Sequence, residues 1–186
     1  MPVAEDDLTT LPNRQAHIDI FPWDENFKTG VKEIDQQHKH LVFLLNQVAN
    51  HIIFQQKEPS LGSIINELVD YAVYHFQSEE NYWLEVAPDA PETESHRDSH
   101  NRFVERVQEF KFKSDTMPAE QWLEELLSFL ASWLAAHILE SDKHMALLVS
   151  AVLKGKSVEE ASLWADQQMQ ESTKAIIKII VASYKN

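Results

Sequence analysis

Leu68-Val-Asp-Tyr-Ala72-Val-Tyr-His75-Phe-Gln-Ser-Glu79-Glu-Asn-Tyr82-Trp-Leu-Glu-Val86 reads as a helix whose inward face carries polar chemistry. Leu68, Ala72, His75, Glu79, Tyr82 and Val86 recur at steps of three and four, which is one face of an α-helix. An imidazole and a carboxylate in the middle of such a stripe are costly to bury unless something there satisfies them. The same conflict appears on three more stripes. One runs Ile34, His38, Leu41, Leu45, Val48 and Ile52, ends near Lys57 and is broken by Pro59. Another, after Pro88 and Pro91, runs His96, His100, Phe103, Val107 and Phe110. The last follows Pro118, with Leu123, Leu126, Leu130, Trp133 and His137 inward.

These segments predict an all-α protein. Short connections make neighbouring helices antiparallel, so the expected architecture is an up-down-up-down four-helix bundle over residues 31–150. Residues 1–30, with prolines at 2, 12 and 22, form an irregular N-terminal arm. Ser60 is placed to cap the second helix. Gly155 interrupts the pattern, and Ser157-Val-Glu-Glu160 has the form of a capping box that opens an additional C-terminal helix over residues 156–186. The chain has only three glycines in 186 residues, in keeping with long helices rather than tight-turned sheets. Its net charge of −14 argues against nucleic acid, whose phosphates need clustered Lys and Arg, and against anionic membrane surfaces. With no cysteine, disulfides, thiolate metal sites and cysteine nucleophiles are excluded. The N-terminus lacks the basic and apolar regions of a signal peptide, and no apolar run approaches the roughly 20 residues of a membrane span. The reading is a soluble, acidic, cytoplasmic protein.

Taken singly, each polar group has an ordinary explanation. His38 alone reads as a hydrogen-bonded core histidine, His75 with Glu79 as a surface ion pair, and His96 with His100 as a shared solvated face. His137 and Asp142 are five apart, about 140° around an ideal helix, so they face one site only if the helix carries a π-bulge. Together, four helices direct ligand-type side chains at one bundle core, which is how di-metal sites are built in bundles. Five imidazoles (His38, His75, His96, His100 and His137) and two carboxylates (Glu79 and Asp142) suit a borderline divalent metal such as iron. Two carboxylates can bridge two ions and cancel much of their charge, and unpaired they would be costly to bury. His17, His40, His51 and His144 are not needed to complete the set.

His, then His-x-x-x-Glu, His-x-x-x-His and His-x-x-x-x-Asp, in this order, resembles the hemerythrin family. Trp23-Asp-Glu-Asn-Phe-Lys-Thr-Gly30 and Ile34-Asp-Gln-Gln-His38-Lys are most similar to its bacterial branch, and the likeness covers about residues 21–150. The resemblance implies a non-heme di-iron centre that binds O2 reversibly, not an enzyme. It implies that His96, His100 and His137 hold one iron and His38 and His75 the other. Glu79, Asp142 and a solvent-derived oxo or hydroxo group would bridge them. Leu41, Phe76, Trp133, Leu134 and Ile138, one turn from these residues, would line the O2 pocket while packing as core. Trp23 would sit near the site. Two positions depart from the family pattern: Met145 where relatives often have Tyr, and Trp83 where the bacterial branch often has Met.

The C-terminal helix is apolar along Met169, Ile176, Ile180 and Tyr184, with Ile177 and Val181 beside them. Such a helix should pack on something: its own bundle, a second copy, or an output domain. Asp6-Asp-Leu-Thr-Thr-Leu-Pro-Asn-Arg14 resembles the opening stretch of diguanylate cyclase domains, but no Gly-Gly-[Asp/Glu]-Glu-Phe motif follows, so the segment is no cyclase. The readings weighed are therefore an O2 carrier or store, an O2 or redox sensor signalling through residues 157–186, and a di-iron enzyme acting on peroxide or nitric oxide. The imidazole-rich site, with no spare acid or base inward, ranks the enzyme last.

Overall fold

The computed structural model describes residues 18–57, 59–113 and 117–183, with residues 171–183 as helical backbone only. Its helices are α1 (Lys32–Ile53), α2 (Leu61–Val86), α3 (Glu92–Lys113), α4 (Ala119–Ala136), a π-helical turn (His137–Asp142), α5 (Lys143–Leu153) and α6 (Val158–Ser183). No strand occurs among the described residues. α1 packs on α2 and α4, and α3 packs on α2 and α4, so the four close a ring. Short connections reverse the chain at each corner, giving the up-down-up-down bundle.

Local chemistry explains the boundaries. Ser60 Oγ accepts from the Ser63 amide at 3.2 Å and starts α2. α1 ends on Gln55, in the left-handed region at φ 48°, where the Gln56 amide reaches back to the His51 carbonyl at 3.1 Å. α5 ends on Gly155, at φ +92°. Ser157 and Glu160 then form the reciprocal capping box: the Ser157 amide donates to Glu160 Oε2 at 3.1 Å, and the Glu160 amide to Ser157 Oγ at 3.2 Å.

The described part of the arm, residues 18–31, lies along α1. The side-chain amide of Asn50 bonds both the N–H and the carbonyl of Ile18, each at 2.8 Å. Asn46 does the same for Phe21, at 3.0 and 2.9 Å. Two asparagines one turn apart thus replace the strand partner that the arm lacks. This second covered side of α1 was not legible in its apolar stripe; His51, expected off the inward face, is also buried.

Two apolar clusters fill the interior. The larger joins α1 to α4 around Leu45, Leu68, Phe103, Leu126 and Leu130. The smaller joins Trp83 of α2 and Ala87 just beyond its end, Met145, Leu148 and Val149 of α5, and Ala161 and Ala165 of α6. Of the three expectations for the C-terminal helix, residues 158–170 realise the first: α6 docks on its own bundle, chiefly on α5. That docking moves the buried face of the far end of α2. Trp83 and Ala87 are fully buried, whereas Tyr82 and Val86, expected inward, are half-buried, as is Leu123 of α4. The side chains of Ile176, Ile177, Ile180 and Val181, and all of Tyr184, His17 and Asp6–Arg14, lie outside the described residues.

α4, the π-turn and α5 run as one helix, Ala119–Leu153, 35 residues long with mean hydropathy 1.2 over its most apolar stretch. By length and composition it could cross a membrane, which corrects the expectation that no run approaches that size. The expectation counted unbroken apolar residues, whereas scattered polar ones lower the mean hydropathy only slightly. Leu126, Leu130, Leu134 and Ile138 of this helix are packed in the bundle core.

Candidate metal centre

α1 supplies His38, α2 His75 and Glu79, α3 His96 and His100, and the π-turn His137 and Asp142. All seven are at most 5% exposed. One donor atom each from Glu79, His96, His100 and His137 falls within 4.8 Å of the others, and so does one each from His38, His75, Glu79 and Asp142. Glu79 belongs to both groups. Its Oε2 lies 3.4 Å from His96 Nε2 and 3.5 Å from both His75 and His100 Nε2, while Oε1 lies 3.7 Å from His38 Nε2. Asp142 spans the groups more evenly: Oδ2 is 3.1 Å from His38 Nε2, and Oδ1 is 3.3 Å from His96 and 3.0 Å from His137. The π-helical turn brings this about. Its wider ring of backbone bonds returns residue i+5 to the face of residue i, so His137 and Asp142 look the same way.

Hydrogen bonding within this cluster satisfies little of it: it amounts to a long contact between His96 Nε2 and Glu79 Oε2, at 3.4 Å, and one between His100 and His137 Nε2. His38 Nε2, His75 Nε2, Glu79 Oε1 and both Asp142 oxygens are buried without a hydrogen-bond partner. Two imidazole nitrogens, His100 Nε2 and His137 Nε2, stand 2.9 Å apart. Atoms bound about 2.1 Å from one ion at right angles to each other would be about 3 Å apart. Lone pairs that converge on common points, rather than on each other's protons, are what a pair of cations requires, and the seven residues fit that requirement.

Electrostatics agree. Burial pushes His38 and His96 down, but Asp142 and Glu79 beside them outweigh it and hold His38 at about 10 and His96 at about 9. Burial dominates at His75 and lowers it to about 4. Burial pushes both carboxylates up, yet the imidazoles around them keep Glu79 and Asp142 below the usual carboxylate range. Free of cations, the cluster holds its two negative charges by keeping protons on His38 and His96.

The sequence comparisons bear on the same residues. The sequence model of the hemerythrin HHE cation binding domain matches residues 29–149. The chain belongs to the hemerythrin family. Among its relatives, a bacteriohemerythrin of Clostridium acetobutylicum is 28% identical over 127 residues, 67% of this chain and 97% of that protein. A bacteriohemerythrin of Pseudomonas aeruginosa is 32% identical over 121 residues, 64% and 75% of the two chains. A hemerythrin-like protein of Naegleria fowleri is 33% identical over 135 residues, 72% and 92% of the two. The hemerythrin match contains all seven clustered residues and stops before α6.

Around the hemerythrin cluster the expected pocket residues separate. Leu41, Phe76, Trp133 and Leu134 line an apolar cavity of about 10 Å³, together with Leu45 and Leu68 among others, whereas Ile138 is buried in the core beside it. Phe76 stacks on the His100 ring at 3.9 Å, and Trp133 on the His137 ring at 4.2 Å. Trp23 packs on the main core, edge-on to Phe27 and under Lys39. His40 packs on Tyr71, and His144 pairs with Asp166 of α6 at 3.0 Å. Two contacts were missed in the sequence: His75 Nδ1 meets Gln37 Oε1 at 3.0 Å, and His100 Nδ1 meets Glu80 Oε1 at 2.8 Å. Each sits beside a clustered residue in sequence and off its stripe, so periodicity gave no signal for it.

Proposed function

We propose that the seven buried side chains hold two non-heme iron ions and that the chain binds O2 reversibly there, as a binding protein rather than an enzyme. The observation that carries this is the convergence of nitrogen and oxygen atoms from four helices on two adjoining points, with those of His38, His75, Glu79 and Asp142 lacking hydrogen-bond partners. In this reading His96, His100 and His137 belong to one ion, His38 and His75 to the other, and Glu79 and Asp142 to both. When bound, the ions supply the electrons and the open position that O2 needs. The chain supplies the rest. Two carboxylates offset most of the positive charge that burial would otherwise penalise. Phe76 and Trp133, stacked on His100 and His137, hold those rings in place. The apolar walls formed by Leu41, Phe76, Trp133 and Leu134, backed by Ile138 in the core, admit a small apolar molecule and exclude water and its protons. The test is metal quantification followed by an anaerobic O2 titration. Two irons per chain with an optical change that reverses on removing O2 supports the reading; zinc, one ion, or irreversible oxidation refutes it.

A second reading, an O2 or redox sensor, is favoured by one observation. Trp83 and Met145, the two departures from the family pattern, lie in one cluster with Ala161 and Ala165 of α6, and the Trp83 ring meets the His96 ring edge-on at 6.4 Å. A change at His96 thus has a packed route to α6, and ligation drives it only if the two states differ in free energy. Hydrogen exchange over residues 157–183 that is the same with and without O2 would dismiss this role.

A further inference from the structure

The outer nitrogens of His75 and His100 meet unlike partners. His100 Nδ1 faces the Glu80 carboxylate, which can only accept, so Nδ1–H donates. At His75 the direction is fixed by a relay: Ser78 Oγ donates to the Tyr74 carbonyl at 3.0 Å, Gln37 Nε2 donates to Ser78 Oγ at 3.1 Å, and Gln37 Oε1 is left to accept from His75 Nδ1–H. Both rings therefore carry their proton on Nδ1 and turn the Nε2 lone pair inward. The partners still differ in charge. A carboxylate draws the Nδ1 proton outward more strongly than an amide carbonyl does, which makes the opposite nitrogen the better donor.

We propose that Glu80 and Gln37 are positioning residues that make the two halves of the site unequal. Glu80 strengthens the half built from Glu79, His96, His100 and His137, and the neutral Gln37 leaves the half built from His38, His75, Glu79 and Asp142 the weaker. This rests on the two-ion reading above. It concerns affinity rather than oxygen chemistry, so a metal without redox activity at the site serves as the probe.

The experiment titrates the metal-free full chain with Co(II), read by calorimetry and by visible absorption. The wild-type chain is expected to take two ions in two resolvable steps. Glu80→Ala should weaken the tighter step about 10- to 100-fold and leave the other step nearly unchanged. Glu80→Gln, which keeps an accepting oxygen but not the charge, should fall between. Gln37→Leu should weaken the looser step alone, and Gln37→Glu should tighten it, an effect that shape alone would not produce. Glu80 is 27% exposed, so its substitutions leave the packing intact and keep the test sound if a Gln37 variant misfolds. If the Glu80 variants weaken both steps equally, or neither, the inference falls and the two-ion reading stands. If the wild-type chain takes fewer than two Co(II), both fall together.

Discussion

Loading the site with divalent metal should drive protons out of it. In the metal-free chain His38 is held at about 10 and His96 at about 9, so both rings are charged at pH 7, whereas His75, lowered to about 4, is neutral. Glu79 and Asp142 are ionised, being held below the usual carboxylate range. A metal ion takes only a deprotonated imidazole. Filling both halves at pH 7 must therefore expel about two protons per chain from His38 and His96. Zn(II) added to metal-free protein in weak buffer with an indicator dye measures this directly. Repeating the calorimetry in buffers of different ionisation heat checks the count. Release should shrink as the starting pH rises through 9 to 10, because those protons are then already lost. Stability follows with a definite sign. Both groups are raised above the ordinary histidine value, so they stabilise the metal-free fold fully below about pH 6.5 and lose that contribution as pH climbs through 9 and 10. The metal-loaded protein should lack this alkaline slope. Zinc binding at pH 7 without proton release would refute the reasoning, because the carboxylates would then not be charging His38 and His96.

Three further outcomes are expected. Gln55→Gly, which removes a side chain from the left-handed region at φ 48°, should stabilise the chain by about 1 kcal/mol, seen as a rise of roughly 2–4 °C in thermal denaturation; no rise would show that the position is unstrained. Phe76→Ala should cost about 3–5 kcal/mol by denaturant titration, since this residue both lines the cavity and stacks on His100. Ala161→Leu, at a position with no exposed surface in the cluster joining α5 and α6, should overpack that contact by about 1–3 kcal/mol and raise hydrogen exchange in α6 before the bundle; equal exchange in both would mean that α6 and the bundle unfold as one unit.

Much of this molecule was legible because burial and chemistry disagree along its helices. His38, His75, Glu79, His96, His100 and His137 all lie on stripes whose other members are apolar, and a period of 3.6 finds them without any structure. Asp142 is different. An ideal helix points it away from His137, and only the demand for a second carboxylate made the π-turn worth expecting. Gln37 and Glu80 were invisible, because what marks them is the partner of an outward ring nitrogen, and that depends on how two helices meet. Trp83 is buried where Tyr82 and Val86 were expected inward, for a related reason. It faces α6, so the inward side of α2 at that end is set by a helix some 75 residues later in the chain, about which a local period carries no information.

The six residues from His137 to Asp142 are counted as well as chosen. Wound as an ordinary α-helix at the same length, the segment would turn everything beyond it by about 100°. Asp142 would leave the cluster, and Met145, Leu148 and Val149 would swing off the face on which Ala161 and Ala165 sit. Leu139, Glu140 and Ser141, none of them buried, can drift in identity at little cost; losing one of them can be absorbed by a return to ordinary winding, which leaves the aspartate on the face of His137, whereas gaining one would turn both interfaces out of register. Over evolution winding and length should change together in this stretch: a chain one residue shorter here should carry an ordinary helix and keep the same seat for α6.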